Sequence, residues 1–529
     1  MTRAGSTRRR HALPRRQWPS PEALVLLIGV LLTAAVLRLY AVGRAQDLFI
    51  DEVTYTDLAV SLASGDGVRL HGEPFHLHPP GLFLVLAAVV RVLGLPTDGL
   101  AALAFDLRWV PALFGSLTAA VVALLVQRAT RSWALAACAG CLLALEPFLV
   151  RFDGRVLLEA QAMCFAALGL LGLTALASRR PDHAAGGLWG PVLVGQVLVA
   201  SLLTKETYGA VAVLPVLVLL ATGLVLPRRT SAVVLASTVA TYLLYVVVLG
   251  LTGQLGEWVT AKTSGVSRLL GLTQETGFNS DSVGSATLTG RVVANLASFG
   301  TTYAVIGLGV LAALWLLVLL RRGADLPGLD RPVVVLVVVW SLCAQVYLAY
   351  AVTLGTIEEQ MFYALVVTAV PVVFAAGHLA LSPAGPRLPL GLGRLPRRAV
   401  PGLLVLLLVA TVALDGAVWL RVHTQRDDAY ARFLAWASTE LPSGSRVAVT
   451  DETTQFVLDD TSVLRVESGA QARAFRAEYV LLVTELVEQG YSPVDDELAG
   501  IVRDGRLVFS AEGRTVGSLQ LYEVAAAGP

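Results

Sequence analysis

Apolar residues run in blocks along this chain, and the blocks are longer than a globular core needs. Stretches of about 20 apolar residues, the length of a bilayer-crossing helix, recur from residue 22 to residue 421. They predict transmembrane helices near 22–43, 105–127, 133–150, 156–178, 187–204, 208–226, 231–251, 298–320, 332–353, 361–380 and 401–421, about eleven in all. The segment 79–95, PPGLFLVLAAVVRVLGL, is apolar but short, opens on Pro79-Pro80 and contains Arg91. It predicts a helix lying at the membrane surface rather than crossing it. After residue 421 the pattern changes. RDDAYARFLAWASTELP predicts an amphipathic helix ended by Pro442, and SRVAVTD, AEYVLLVTE, RLVFSA and SLQLYEV predict short strands. The fold class is therefore an all-α polytopic membrane protein with a small C-terminal α/β domain. It divides into a basic N-terminus (1–21), a membrane domain (22–421) and an extracytoplasmic domain (422–529).

Composition agrees with that class. Of 529 residues, 55% are hydrophobic and only 15% charged, where soluble globular proteins carry about 25% charged residues. Net charge is +1, so the distribution of charge carries the information. The N-terminus MTRAGSTRRRHALPRRQW is basic and is expected in the cytoplasm. With 79–95 kept at the surface, Arg179-Arg180, Arg228-Arg229, Arg321-Arg322 and the cluster Arg394, Arg397, Arg398 all fall on the same inner side. Counting 79–95 as a span would move every one of them outside. The linker 381–400, rich in Pro, Gly and Arg, is also expected to be cytoplasmic. The first apolar run exceeds a signal-peptide core and has no small-residue cleavage site after it, so it reads as an uncleaved helix. Cys138, Cys141, Cys164 and Cys343 lie inside apolar segments and imply no disulfide framework. No nucleic-acid partner is expected; the expected location is the plasma membrane.

In this topology the polar marks near the membrane gather on the outer side. The first outer loop, 44–104, begins with FIDEVTY and offers Asp51, Glu52, Tyr55 and Asp57, then HLHPP with His76 and His78. VRFDGRVLLEA supplies Arg151, Asp153, Arg155 and Glu159, and LLTKETYGA supplies Lys205, Glu206 and Tyr208. TIEEQMFY supplies Glu358, Glu359, Gln360 and Tyr363. The Gly/Ser/Thr-rich loop 252–297 carries Lys262 and Arg268 and suits a lid over bound substrate. Ionisable groups at helix ends are costly unless paired or facing a wet cavity. Each group has a plain alternative: an ion-pair knot for Arg151, Asp153 and Arg155, a snorkelling pair for Lys205-Glu206, loop histidines, a solvated acid turn for Asp51-Glu52. Asp451-Glu452 in the tail reads as solvated surface. Acids mixed with Arg, Lys and His beside lipid suit a lipid-phosphate-linked donor. Its phosphate gains negative charge as the glycosyl bond breaks, and cations placed there favour the transition state. The acceptor hydroxyl then needs a base, which a carboxylate supplies.

FIDEVTYTDLAVSLASGDG, HPPGLFLVLAAVVRVLG, DLRWVPALFGSLTAAVVALLVQR, LALEPFLVRFDGRVLLEA and LLTKETYGAVAVLPVL together resemble the GT-C glycosyltransferases. The similarity is to the bacterial branch related to protein O-mannosyltransferases and the lipid A aminoarabinose transferase, and it covers residues 22–226 best. The resemblance implies a multi-span enzyme with juxtamembrane helices in its first outer loop, and an inverting transfer from a polyprenyl-phosphate-sugar donor to a glycan, lipid or protein hydroxyl. It also implies Asp51 as the catalytic carboxylate with Glu52 in support. His78 stands where relatives often have the lysine that contacts the lipid phosphate, which shifts that contact toward Lys205, Arg155 or Arg151 with Tyr208 nearby. Glu159 stands where relatives often have Asp, and TIEEQMFY lacks the usual Arg of an Arg-x-Tyr element. Tyr55, His76, Asp153, Glu206, Lys262, Arg268, Glu359 and Tyr363 are further candidates for substrate contact. No cofactor is expected; Asp51, Glu52 and His78 are the residues that would hold a divalent metal. Two other classes stay open: a polyprenyl-linked-sugar flippase, which needs polar groups at the bilayer midplane, and a non-catalytic cell-envelope assembly protein.

Overall fold

The computed structural model describes residues 21–178, 187–273, 288–386, 399–458, 462–488, 492 and 494–524. Helix α1 (Pro21–Leu39) leads to α2 (Ile50–Ser64), a two-residue hairpin β1 (Arg69–Leu70) and β2 (Glu73–Pro74), and α3 (Gly81–Leu93). Then come α4 (Leu100–Leu107), α5 (Trp109–Thr130), α6 (Trp133–Leu145), α7 (Pro147–Asp153), α8 (Leu158–Ala177), α9 (Trp189–Thr204) and α10 (Glu206–Thr222). Helices α11 (Arg228–Leu251), α12 (Leu255–Leu269), α13 (Leu288–Arg321), α14 (Arg331–Thr353), α15 (Met361–Leu381) and α16 (Ala399–Thr424) complete the membrane domain. Among the described residues, eight helices are long and apolar enough to cross a membrane, or nine if α6 and α7 form one bent span; α3, α9 and α10 are shorter apolar helices. The eight, the bent pair, α9 and α10 fall on the segments read from the sequence. The chain is a multi-pass membrane protein.

Three local breaks shape the site. Helix α6 stops at Glu146 because Pro147 cannot continue its hydrogen-bond ladder, and the Glu146 carboxylate caps Leu149 N–H at 2.7 Å to start α7. The two helices meet at 60°. Between α9 and α10 the backbone turns extended at Lys205 (φ −150°, ψ 116°), which places this lysine at a helix junction instead of on a helix face. Helix α3, at 13 residues too short to cross a bilayer, packs along α2 through Leu82, Phe83, Leu86 and Val90. Its start abuts α9 so closely that a Cβ on Gly81 would lie 2.6 Å from the Leu203 carbonyl. This agrees with the surface-helix expectation for 79–95.

The expected loop 252–297 is in part a helix: α12 occupies 255–269, and 274–287 lies outside the described residues. Arg228-Arg229 and Arg321-Arg322 sit at helix ends, at the start of α11 and the end of α13. Residues 1–20, Arg179, Arg180, Arg394, Arg397 and Arg398 are outside the described residues.

The C-terminal domain is a five-stranded mixed sheet. It contains α17 (Ala429–Glu440), β3 (Val447–Val449), α18 (Glu452–Leu458), β4 (Val463–Arg465), α19 (Gly469–Ala474), β5 (Tyr479–Val483), α20 (Thr484–Glu488), α21 (Asp496–Asp504), β6 (Arg506–Gly513) and β7 (Gly517–Glu523). The strand order is β4-β3-β5-β7-β6, with β3 parallel to β4 and β5 and the other pairs antiparallel. Its core runs on into the first loop, where Leu48, Val53, Ala101 and Ala104 pack with Tyr430, Phe433 and Leu519. One reading of the tail is corrected. Asp451 is buried, accepting from the Tyr430 hydroxyl at 3.0 Å and from Thr454 N–H at 2.8 Å, because it caps the start of α18; only Glu452 is exposed.

Candidate active site

Asp51 and Glu52 share the first turn of α2, where the helix dipole favours carboxylates. Glu52 faces inward and is fully enclosed. Its two oxygens accept from Arg108 Nη2 at 2.6 Å and Nε at 2.8 Å, and one also accepts from Val156 N–H at 2.9 Å. Arg108 further donates to the carbonyls of Gln46 (2.6 Å), Val42 (3.1 Å) and Asp47 (3.2 Å). Glu52 and Arg108 thus fasten the chain leading into α2.

Asp51 is only half-buried, and among the described residues its carboxylate makes no hydrogen bond or ion pair. Burial by its surroundings pushes its pKa up to about 6, against the pull of the Lys205 ammonium; Glu159, Glu358 and Arg268 are its other charged neighbours. Lys205 Nζ lies 2.5 Å from Glu159 Oε1, contacts the Gln360 side chain and sits 5.6 Å over the Tyr208 ring. The Tyr208 hydroxyl donates to the Gln360 carbonyl at 2.5 Å. The second Glu159 oxygen is buried with no partner among the described residues.

Helix α12 closes this cluster from the other side. Lys262 bonds Glu206 at 2.6 Å and the Leu77 carbonyl at 3.0 Å. Arg268 pairs with Glu358 at 3.3 Å, and its carbonyl accepts from the Thr356 hydroxyl at 2.8 Å. Burial pushes the Lys262 pKa down. His78 stands edge-on to Tyr55, ring centroids 5.9 Å apart. Burial and the cations Lys205, Lys262 and Arg268 hold its pKa well below the ordinary histidine value, so it is neutral at pH 7. It offers a hydrogen bond there, not a positive charge.

Asp51, Tyr55, His78, Glu159, Lys205, Tyr208, Lys262 and Arg268 therefore share one cluster, with Glu206 as the counter-ion of Lys262. The other candidates lie elsewhere. Asp153 accepts from Arg38 Nε at 2.6 Å and from the Tyr363 hydroxyl at 2.7 Å, a buried knot joining α1, α7 and α15. His76 sits 3.7 Å from Glu257 on α12. Arg151 pairs with Glu359 at 2.6 Å, and Arg155 reaches the Thr515 hydroxyl at 3.2 Å on the C-terminal domain. Among the described residues no three His, Cys, Asp or Glu side chains converge as metal ligands. Sequence reasoning passed over Arg38 and Arg108. Both are arginines inside apolar blocks, a position that by itself calls for a buried partner.

Helices packed against α2, a bent α6–α7 pair and a C-terminal sheet docked on the first loop make up a fold of the GT-C type. Crystal structures of ArnT from Cupriavidus metallidurans share it. The apo form has a TM-score of 0.55 at 15% identity, covering 96% of this chain and 99% of that one. The form bound to undecaprenyl phosphate has a TM-score of 0.54 at 14% identity, covering 96% and 100%. The Archaeoglobus fulgidus oligosaccharyltransferase, in complex with Zn and sulfate, has a TM-score of 0.52 at 13% identity, covering 95% and 73%. Residues 30–256 match the family model of dolichyl-phosphate-mannose-protein mannosyltransferase. No curated relative matches in sequence. The solved structures are similar to this chain in fold, and the family model matches its N-terminal part.

Proposed function

We propose that this protein transfers a sugar from a polyprenyl-phosphate-sugar donor to an acceptor hydroxyl at the outer face of the membrane, with inversion. The observation that carries the reading is Asp51, an acid with no partner among the described residues, set within electrostatic reach of Lys205 and Arg268. A similar fold in crystals binds undecaprenyl phosphate, which supports a lipid phosphate as the donor's anchor.

Asp51 takes the acceptor's hydroxyl proton while the acceptor oxygen forms a bond to the anomeric carbon. The bond between that carbon and the phosphate oxygen breaks, and the lipid phosphate leaves as a monoester whose charge moves from about −1 toward −2. Lys205 and Arg268 meet that charge as it grows, so they bind the transition state better than the ground state. With its pKa near 6, Asp51 is ionised at pH 7 yet basic enough to accept a proton. A single in-line displacement inverts the anomeric centre. Tyr208 and Gln360 hold Lys205 in place, and His78 donates a neutral hydrogen bond.

The test is release of undecaprenyl phosphate from a panel of undecaprenyl-phosphate hexoses and pentoses, followed by mass spectrometry with the protein in nanodiscs. We expect turnover with at least one donor and a loss of about 10²–10⁴-fold in Asp51→Asn, with undecaprenyl phosphate binding retained. Unchanged turnover in Asp51→Asn would refute the role of the carboxylate.

A further inference from the structure

The described residues include three arginines buried almost completely, and they are not treated alike. Arg38 is paired with Asp153 and Arg108 with Glu52, each through a direct ion pair. Arg155, 3% exposed, has no carboxylate in contact. Its one hydrogen bond is to the neutral hydroxyl of Thr515, and its Nε is buried with no acceptor among the described residues. A buried guanidinium with no carboxylate in direct contact and an unbonded Nε is expensive, so its retention asks for a ligand.

The surroundings add to this. Arg155 lies 5.7 Å from the ring of Phe49, a residue 39% exposed that immediately precedes α2. Arg151 and Arg514 stand at the rim, with side chains 29% and 32% exposed. Arg151 is the charge that acts most strongly on Arg155, and it acts on Arg514 as well. Glu359 pairs with Arg151 and Asp427 with Arg514, while Glu52 and Asp427 offset the Arg155 charge only from beyond ion-pair contact. This basic group meets the C-terminal domain through Thr515 and Arg514. The Lys205–Arg268 cluster instead lies between α10, α12 and the turn before α15. Phe49, beside the first group, and Asp51, beside the second, both lie at the start of α2, and the charges acting on Asp51 come from the second group.

We propose that Arg155, with Arg151 and Arg514 at its rim and Phe49 as a stacking face, binds an oxyanion of the acceptor, so that the acceptor is a phosphate- or carboxylate-bearing molecule. The proposal rests on the transferase reading, in which Lys205 and Arg268 already hold the donor's phosphate. A transfer needs two subsites around one base, and the arginines beside Phe49 supply the second. An uncharged sugar would leave Arg155 as costly as it is in the free protein; an oxyanion satisfies Nε and gains charge-assisted hydrogen bonds.

Two ligands are titrated into the full chain in nanodiscs at low salt: undecaprenyl phosphate, and separately glycerol 3-phosphate or glucuronate. The wild type is expected to bind undecaprenyl phosphate and at least one of the small anions, and the preferred anion tells phosphate from carboxylate. Arg155→Gln should weaken the small anion at least tenfold and leave undecaprenyl phosphate within twofold, which also shows that the variant is folded. Arg155→Lys, which keeps the charge, should recover part of the loss. Lys205→Met should do the reverse, weakening undecaprenyl phosphate and sparing the small anion. The proposal is overturned if Arg155→Gln weakens undecaprenyl phosphate as much as the anion, or if neither small anion binds the wild type. Failure of undecaprenyl phosphate to bind the wild type would instead remove the donor reading beneath it.

Discussion

Asp51 and Glu52 leave α2 in different directions because successive helical side chains diverge by about 100°. That divergence decides their roles, and adjacency in the sequence does not reveal it. Glu52 meets Arg108 in a fully enclosed pair, while Asp51 meets only distant charge. The acid limb of the pH–rate profile follows from this. A base must be ionised, so turnover is expected to fall as pH drops through about 6, approaching tenfold per unit below it. Lys205 pulls the Asp51 pKa down, so replacing it removes that pull. Lys205→Met should therefore lower turnover and also move the acid limb to higher pH. A limb that stays in place, or moves to lower pH, would show that Lys205 does not act on the titrating base. Asp51→Asn should leave no such limb in the residual rate.

At the scale of elements, the positions of the spans were legible because a bilayer fixes their length and apolar character together. The short helix within 79–95 was legible from its length, Pro79-Pro80 and Arg91. Helix α12 was hidden, since its few apolar residues, Leu255, Trp258, Val259, Val266 and Leu269, are separated by small and polar ones in a Gly/Ser/Thr-rich stretch. The knots made by Arg38 and Arg108 were hidden too, because their partners Asp153 and Glu52 lie 115 and 56 residues away. Periodicity describes one element at a time and does not say which partners meet. The contact between α3 and α9 is of this kind, and it bears on the site through Lys205. A side chain at Gly81 would meet the Leu203 carbonyl at 2.6 Å and the Thr204 hydroxyl at 2.9 Å, both just before the lysine. Gly81→Val should cost about 1–3 kcal/mol through overpacking and cut turnover at least tenfold by shifting α3, with His78, away from Lys205. Gly29→Ala on α1 has no atom within 4 Å of the added carbon and should leave both thermal stability and turnover unchanged. Equal effects in the two variants would show that the α3–α9 contact is not what matters.

Across the whole molecule, the C-terminal domain is tied to the strand of chain that enters α2. Arg44 carbonyl accepts from Asp427 N–H at 2.9 Å, Arg514 donates to the Ala45 carbonyl at 2.6 Å, and Asp427 accepts from the Thr515 hydroxyl at 2.6 Å. Asp47 sits in this joint, fully enclosed, accepting from Leu48 N–H at 2.9 Å and from Tyr430 N–H at 3.3 Å, with Asp427 beside it. Burial, with some help from Asp427, raises its pKa from 3.8 to about 7. The sign of its contribution follows. Between about pH 4 and 7 the unfolded chain has lost this proton and the folded chain keeps it, so folding is favoured less as pH rises through that range. Asn at this position retains an acceptor for the N–H bonds and has no proton to lose. Relative to Asp47→Asn, the wild type should therefore lose stability from about pH 4 to 7, by at most about 1.4 kcal/mol per unit. Above pH 7 the difference should level off. Thermal melting of both proteins in detergent across pH 4–8 measures it. Parallel curves would mean that Asp47 is as ionisable in the folded protein as in the unfolded chain. A converging pair, with the wild type losing ground only at the acid end, would mean that the joint holds an ionised carboxylate at Asp47 instead of a neutral carboxyl.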